Sequence, residues 1–386
     1  MFSPELKELR AGNLHRTVID RASKQGAHIF LEGREFLNFA SNDYLSLAGH
    51  PDVVRAAATA MNEFGFGGGA SRLLAGGSSL HRMLEEKIAG LKGTEAALIF
   101  NSGYAANTGT ISALAEEGDV IFSDELNHAS IVDGCRLSKA KTIIYRHRDA
   151  EHLSYLMEKE NGRRKVVLTD TVFSMDGDIA PLRDIYNICL AQNSKPDSQH
   201  STLLYLDDAH GTGVLGSGRG ALAHFGICPE PWIIQMGTLS KALGSFGAFI
   251  AGSRNIIEWL TNSARSFMFS TAVPACSVAA ALRAIELIET TPKLVLQLWK
   301  NRNQTVGMLK MKGYDTGGSG TPVIPLRVDS VEEALRLSRH LYEKGIYAPA
   351  IRPPTVKTPR VRITVTAEHS EEDIAMLADA LPSVKI

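Results

Sequence analysis

Residues 232–252 read WIIQMGTLSKALGSFGAFIAG. The apolar run Trp232–Met236 has the length and composition of a buried strand. Thr238, Ser240 and Lys241 follow it at once, with Gly237, Gly244 and Gly247 around them. A lysine so placed sits just past a strand end, in a tight turn that glycine permits, and this is a setting in which lysine serves as a nucleophile. Taken alone, such a lysine is a solvated loop residue, the usual state of that side chain. The stretches upstream decide between the two readings.

Between Asp119 and Ala251 the pattern alternates between short apolar runs and amphipathic segments. Strands are expected at Asp119–Ser123, Thr142–Tyr145, Val166–Asp170, Thr202–Leu206, Ile233–Met236 and Ala248–Ala251. Helices are expected between them at Ser130–Ser138, Ala150–Glu160 and Pro181–Gln192. This alternation predicts an α/β fold, with a mostly parallel central sheet and helices on both faces. Such sheets bind ligands at the carboxyl ends of their strands. Four polar clusters fall there: Asp124–His128, Asp170–Asp178, Asp207–His210 and Thr238–Lys241.

Outside this region the texture differs. A short helix is expected at Pro4–Arg10, followed by strands at His28–Leu31 and Glu35–Phe39 around the turn Glu32–Gly33–Arg34, and by helices at Pro51–Phe64 and Ser79–Leu91. Gly65–Gly69 and Gly76–Gly77 bracket a loop that lacks the Walker lysine and the strand–GxGxxG–helix order. It reads either as a weak phosphate loop or as a place where another chain or a ligand comes close. Thr94–Phe100 is a buried strand that runs through Asn101–Tyr104 into the helix Ala105–Leu114. That order leaves free backbone N–H groups where an anion can sit, and it is also a common α/β turn. After Pro274, long helices at Ser277–Glu289 and Lys293–Lys312 precede a helix–strand mixture that reads as a smaller α+β C-terminal domain. The expected division is an N-terminal segment at 1–48, a large cofactor-binding domain at 49–288 and a small domain at 289–386.

The 386 residues carry a net charge of −1, so no basic footprint for nucleic acid is present. Cys135, Cys189, Cys228 and Cys276 are widely spaced, with no CxxC and no cysteine–histidine cluster. No disulfide framework or metal site is expected, and a reducing, cytoplasmic setting is. The first residues are charged and lack an apolar core, so no signal peptide is read. No apolar run is long enough to span a bilayer, and the nearest, Ala272–Ile288, is interrupted by Arg283.

Asp207 ends the apolar strand Leu203–Leu206. A carboxylate there is costly unless a cation meets it. A protonated ring nitrogen is a natural partner, with His210 against the same ligand; the alternative is a helix N-cap at Asp208. Asp207 and Lys241 on neighbouring strand ends meet the requirement of pyridoxal phosphate, in which lysine forms an imine and aspartate keeps the pyridine nitrogen protonated. Gly103, Tyr104 and Thr238 are placed to hold the phosphate, and His128 to lie on the ring face.

The motifs SNDYL (41–45), GASRLLAGG (69–77), NSGYAAN (101–107), ELNHAS (125–130), TDTVFSMDGD (169–178), LDDAHGTGVLG (206–216), GTLSKALG (237–244) and FSTAVP (269–274) resemble those of the α-oxoamine synthases. These are pyridoxal-phosphate enzymes of fold type I, and the likeness runs over nearly the whole chain. IRPPTV (351–356) and the GASRLL segment most resemble the biotin-pathway branch, which implies decarboxylative condensation of L-alanine with a pimeloyl thioester, carried by coenzyme A or an acyl-carrier protein. Another pair within the family, such as glycine with acetyl-CoA, is the alternative. The resemblance implies that Lys241 is the imine lysine, that Asp207 pairs with the ring nitrogen and that His210 meets the ring's 3-hydroxyl. It puts His128 against ring and substrate, with Gly103, Tyr104, Ser174 and Thr238 as further cofactor contacts. Lys241, His128 and His210 are the expected catalytic groups, and Arg16, Asn42, His128, Arg352 and Thr355 the substrate contacts. Ser270–Thr271 matches a segment that reaches the neighbouring subunit's phosphate, so a homodimer is implied. The family continues from PPTV with Pro-x-Gly, whereas this chain has Lys357–Thr358–Pro359 before Arg360 and Arg362. Arg362 is another candidate for a substrate carboxylate; the alternative is that Arg360 and Arg362 are solvent-side residues of an alternating strand.

Overall fold

The computed structural model describes residues 1–194 and 202–383. Along the chain come helix α1 (Ser3–Ala11), strands β1 (His28–Leu31) and β2 (Arg34–Asn38), helices α2 (Pro51–Phe64) and α3 (Ser79–Lys92), strand β3 (Ala96–Phe100), and helix α4 (Gly103–Leu114). Then strands and helices alternate: β4 (Val120–Asp124), α5 (Ala129–Ser138), β5 (Lys141–Tyr145), α6 (Ala150–Lys159), β6 (Lys165–Asp170), α7 (Leu182–Asn193), β7 (Thr202–Asp207), α8 (Ala221–His224), β8 (Ile233–Thr238) and β9 (Ala248–Gly252). Helices α9 (Arg254–Ser263), α10 (Arg265–Met268), α11 (Ala275–Thr290) and α12 (Lys293–Met311) follow. The chain closes with β10 (Val323–Arg327), α13 (Val331–Glu343), β11 (Ile346–Tyr347), β12 (Ala350–Ile351), β13 (Arg360–Thr364) and α14 (Glu371–Ala380).

Two compact units result. One comprises Met1–Gly49, Ser174–Asp178 and Leu296–Ile386, and the other His50–Phe173 and Ile179–Val295. Residues 1–48, read from sequence as a segment of their own, thus share a unit with the C-terminal stretch. Their tie is backbone pairing: β2 is flanked by β1 and, in parallel, by β11, with Ile346 opposite Leu37. Residues 384–386 of the expected small domain lie outside the described residues.

The larger unit is built on a seven-stranded sheet in the order β3-β9-β8-β7-β6-β4-β5. Strands β8, β7, β6, β4 and β5 run parallel, while β9 is antiparallel to both its neighbours. The expectation of a mostly parallel sheet therefore holds, and the reversal at β9 has a local cause. The connection from β8 is a tight glycine-supported turn, too short for a crossover helix. Strands β4, β7, β8 and β9 are buried at every residue, as a sheet covered on both faces requires.

Helix boundaries follow from cap chemistry. Pro51 occupies the first turn of α2, and the side chain of His50 accepts from the Asp52 N–H. Ser78 and His81 form a reciprocal cap on α3, which ends at Gly93 in the left-handed region. Helices α9 and α10 have no counterpart in the sequence pattern. They are short, and α9 is fixed by packing, with Ile257 and Leu260 buried and the Trp259 Nε1–H donating to the Ala113 carbonyl.

The glycine-rich loop at 65–77 is settled by close approach. A Cβ on Gly68 would lie 2.5 Å from the Ala272 carbonyl oxygen, and one on Gly76 would lie 1.9 Å from that of Ala70. The Ala272 N–H donates to the Ala70 oxygen at 2.9 Å, and Ser71 bridges Thr271. The glycines let two backbones meet.

Candidate active site

The carboxyl ends of β4, β6, β7 and β8 carry the site, as their parallel order requires. Asp170 and Asp207 are register partners at the ends of β6 and β7, and Asp207 is level with Met236 on β8. Two residues further along, Thr238 ends β8. Its hydroxyl meets Ser240 Oγ at 2.7 Å and donates to the Gly247 carbonyl at 3.1 Å. Lys241 follows in a turn closed by the Gly244 N–H donating to its carbonyl. Gly244 (φ 59°) and Gly247 (φ 107°) adopt backbone conformations that other residues resist, and a Cβ on Gly247 would lie 2.9 Å from the Phe100 oxygen. The turn delivers Lys241 Nζ to 2.7 Å from His210 Nε2.

The Asp207 carboxylate is buried and doubly anchored. Oδ2 accepts from Asn107 Nδ2 at 2.8 Å, and Oδ1 from the Ala209 N–H at 3.0 Å. Asp170 accepts the His128 N–H at 2.7 Å. Burial, and then the Asp207 carboxylate beside it, hold Asp170 well above the usual carboxylate range. His128 caps α5, and its side chain accepts from the Ser130 N–H. Burial lowers its pKa and the Lys241 ammonium adds to that, while Asp207 opposes them, so neutral imidazole is the favoured form. Gly103 and Tyr104 are the first residues of α4, whose leading N–H groups have no intrahelical acceptor. The Tyr104 hydroxyl donates to Asp133.

This donor set fits pyridoxal phosphate: an amine for the aldehyde, a buried carboxylate for a protonated ring nitrogen, and a helix N-terminus with Thr238 for a phosphate. Among the described residues no cluster of histidine, cysteine and acidic groups that would hold a metal ion is found.

Asp208 corrects one expectation. No helix starts there; residues 209–214 form consecutive turns. Its carboxylate meets Lys92 Nζ at 2.7 Å, with both side chains out of solvent, and also accepts from the hydroxyls of Thr171 (2.7 Å) and Thr212 (2.9 Å). Gly211 and Gly220 lack a Cβ because this pair fills the space: a Cβ would lie 2.1 Å from Asp208 Oδ1 or 2.0 Å from Oδ2. Lys92→Met would leave a buried charge unpaired, at an expected cost of about 3–5 kcal/mol. The check is a lower urea midpoint at unchanged slope.

Ser174, Arg16, Asn42, Arg352 and Thr355 belong to the smaller unit. Three of them form one cluster. Arg16 Nη2 donates to Thr355 Oγ1 at 3.3 Å, and Arg352 donates to the carbonyls of Asn13 (2.7 Å) and His15 (2.6 Å). Arg16 and Arg352 line a cleft of about 580 Å³ with Arg339, Tyr342 and Tyr347. Burial, then the charge of Arg16, lowers the pKa of Arg352. Asn42 accepts from Arg362 Nη2 at 2.7 Å.

The solvent-side reading of Arg360 and Arg362 is overturned, since they are only 4% and 9% exposed. Strand β13 is flanked by β10 and β12, and all five of its residues are buried. Arg360 pairs with Asp176, which Arg327 also meets at 2.7 Å. Among the described residues Arg362 Nε has no hydrogen-bond partner, which leaves one buried cationic donor for a ligand.

Asn107, Ser130, Asp170 and Tyr205 are site residues that the sequence reading assigned no role. Asn107 was signalled by its place four residues after Gly103, on the same helix face, and Ser130 by its place two after His128.

The class I and II aminotransferase family matches residues 34–381. A putative 8-amino-7-oxononanoate synthase of Thermodesulfovibrio yellowstonii is 52% identical over 382 residues, covering 99% of this chain and 96% of that protein. The 8-amino-7-oxononanoate synthase of Geobacter metallireducens is 48% identical over 380 residues, covering 97% and 95%. Among solved structures, the serine palmitoyltransferase of Sphingomonas wittichii superposes with a TM-score of 0.91 at 30% identity, over 98% of this chain and 96% of that one. The 8-amino-7-oxononanoate synthase of Francisella tularensis superposes with a TM-score of 0.76 at 26% identity, over 89% and 96%. With identities near one half over almost their full length, these relatives and the fold place the chain in the 8-amino-7-oxononanoate synthase family, within the class I and II aminotransferases.

Proposed function

We propose that the protein condenses L-alanine with a pimeloyl thioester, on pyridoxal phosphate, to give 8-amino-7-oxononanoate, carbon dioxide and a free thiol. One observation carries this reading: a buried Asp207 and the Lys241–His210 pair stand at the ends of adjacent parallel strands in a chain of that family. Bound there, pyridoxal phosphate supplies an electron sink for the substrate α-carbon.

The chain's own groups do the rest. Lys241 would hold the cofactor through Nζ and would take the substrate α-proton. Lysine's ordinary pKa is about 10.4, so base action near neutrality requires desolvation beside the bound cofactor. Asp207 would keep the ring nitrogen protonated and His210 would meet the ring hydroxyl. Gly103, Tyr104, Ser174 and Thr238 hold the cofactor, and His128 faces ring and substrate. Arg16, Asn42, Arg352 and Thr355 bind substrate. Arg362, with its spare buried Nε–H, takes a carboxylate. Arg362→Leu is expected to raise the KM for alanine about 10–100-fold, the worth of a charge-assisted hydrogen bond, with a smaller change in kcat. Steady-state kinetics with alanine varied checks this.

A homodimer belongs to the same reading. Phe66, Leu74 and Phe269 are exposed, on the glycine-rich loop and beside the segment Thr271–Ala272 that pairs with it, and such apolar exposure favours a partner surface. Among the described residues no helix is long and apolar enough to cross a membrane, and a cytoplasmic location is proposed.

The test is thiol release from pimeloyl-CoA, from a pimeloyl-carrier protein and from acetyl-CoA, with alanine, glycine and serine in turn. Release with alanine alone supports the reading. Release only with glycine and acetyl-CoA would move the protein to another member of the α-oxoamine synthases.

A further inference from the structure

We propose that Asn107 and Ser130 are positioning residues that fix His128 as the Nε2-protonated tautomer, so that it works as a neutral hydrogen-bond donor and not as a base. The role of His128 near substrate rests on the proposed function; the tautomer does not.

Asn107 is buried with every polar atom engaged. Tyr205 Oη donates to its Oδ1 at 2.6 Å, and its two Nδ2 hydrogens go to Asp207 Oδ2 and Ser130 Oγ, each at 2.8 Å. The amide has one acceptable orientation, because turning it over would set Oδ1 against the Asp207 carboxylate. Ser130 Oγ thus accepts from Asn107, and its own hydrogen is left for His128 Nδ1, 2.7 Å away. The Ser130 backbone N–H is aimed at the same nitrogen, at 3.3 Å. Two donors converge on Nδ1, so Nδ1 carries the lone pair. A neutral imidazole with an accepting Nδ1 has its proton on Nε2. The depressed pKa of the ring agrees with the neutral form.

The chain Tyr205–Asn107–Ser130–His128 therefore links the ring to the Asp207 anchor through one amide. A donor at Nε2 suits a substrate carbonyl or carboxylate oxygen. It cannot take a proton at that atom, which leaves proton abstraction to Lys241.

The experiment is long-range ¹H–¹⁵N correlation on the cofactor-free protein labelled at histidine nitrogens, at pH 7.5. The His128 signals are identified by their loss in His128→Asn. The expected wild-type pattern is a bare Nδ1 and a protonated Nε2. A protonated Nδ1, or a doubly protonated ring, overturns the proposal without touching the assignment of the reaction. Ser130→Ala is expected to shift the pattern toward a mixture of tautomers and to lower kcat about tenfold, the worth of one neutral hydrogen bond, while the KM for alanine stays within about twofold. Ser130→Thr is expected to restore both. An unchanged spectrum in Ser130→Ala would also overturn it. Should Ser130→Ala fail to fold, the wild-type spectrum decides alone.

Discussion

Lys241→Ala is expected to abolish the visible absorbance band of the pyridoxal-phosphate-loaded protein and to lower kcat/KM by at least about 10³-fold, since one side chain supplies both the covalent link and the proton transfer. The fold should not suffer. The turn at Lys241 is held by backbone bonds, by Gly244 and Gly247, and by Thr238 Oγ1, none of which needs the Lys241 side chain. The circular dichroism spectrum and the melting temperature should thus stay close to wild type. A fully active Lys241→Ala protein would end the assignment of this residue.

Asp207→Asn carries the second large effect. The wild-type carboxylate accepts from Asn107 and from the Ala209 N–H. An asparagine keeps the shape and one acceptor but loses the charge that holds the ring nitrogen protonated. Removing one partner of a buried charge pair costs about 3–5 kcal/mol, which corresponds to roughly 10²–10⁴-fold in rate. The variant should still take up cofactor, because Lys241 and the N-terminus of α4 are untouched. Its exchange of the alanine α-proton for solvent deuterium, followed by NMR, should fall by that factor. Exchange at the wild-type rate would give the aspartate another role.

Much of this was legible in the residues because the signals are local. The apolar run before Thr238 and the glycines after it mark a buried strand and a tight turn, and the structure has both. The alternation between Asp119 and Ala251 carries the parallel order, and with it the convergence of four polar strand ends. What stayed hidden depends on pairings far apart in the chain. Asp208 looked like a cap because Asp-Ala-His-Gly is good capping chemistry, and only the fold brings Lys92 against it. Arg360 and Arg362 fit an alternating strand equally well with their side chains out or in; burial between β10 and β12 decides it. The reversal of β9 was hidden as well, since a buried antiparallel strand reads like a parallel one. Asn107 lies within NSGYAAN, and nothing local to that stretch shows that its amide joins Asp207 to Ser130.

The most direct test of the central claim is borohydride reduction of the cofactor-loaded protein, followed by proteolysis and mass mapping of the pyridoxyl group. The prediction is one modified residue per chain, Lys241, with the Asp207→Asn protein modified at the same place. A pyridoxyl group on another lysine, or none after loading, would contradict it.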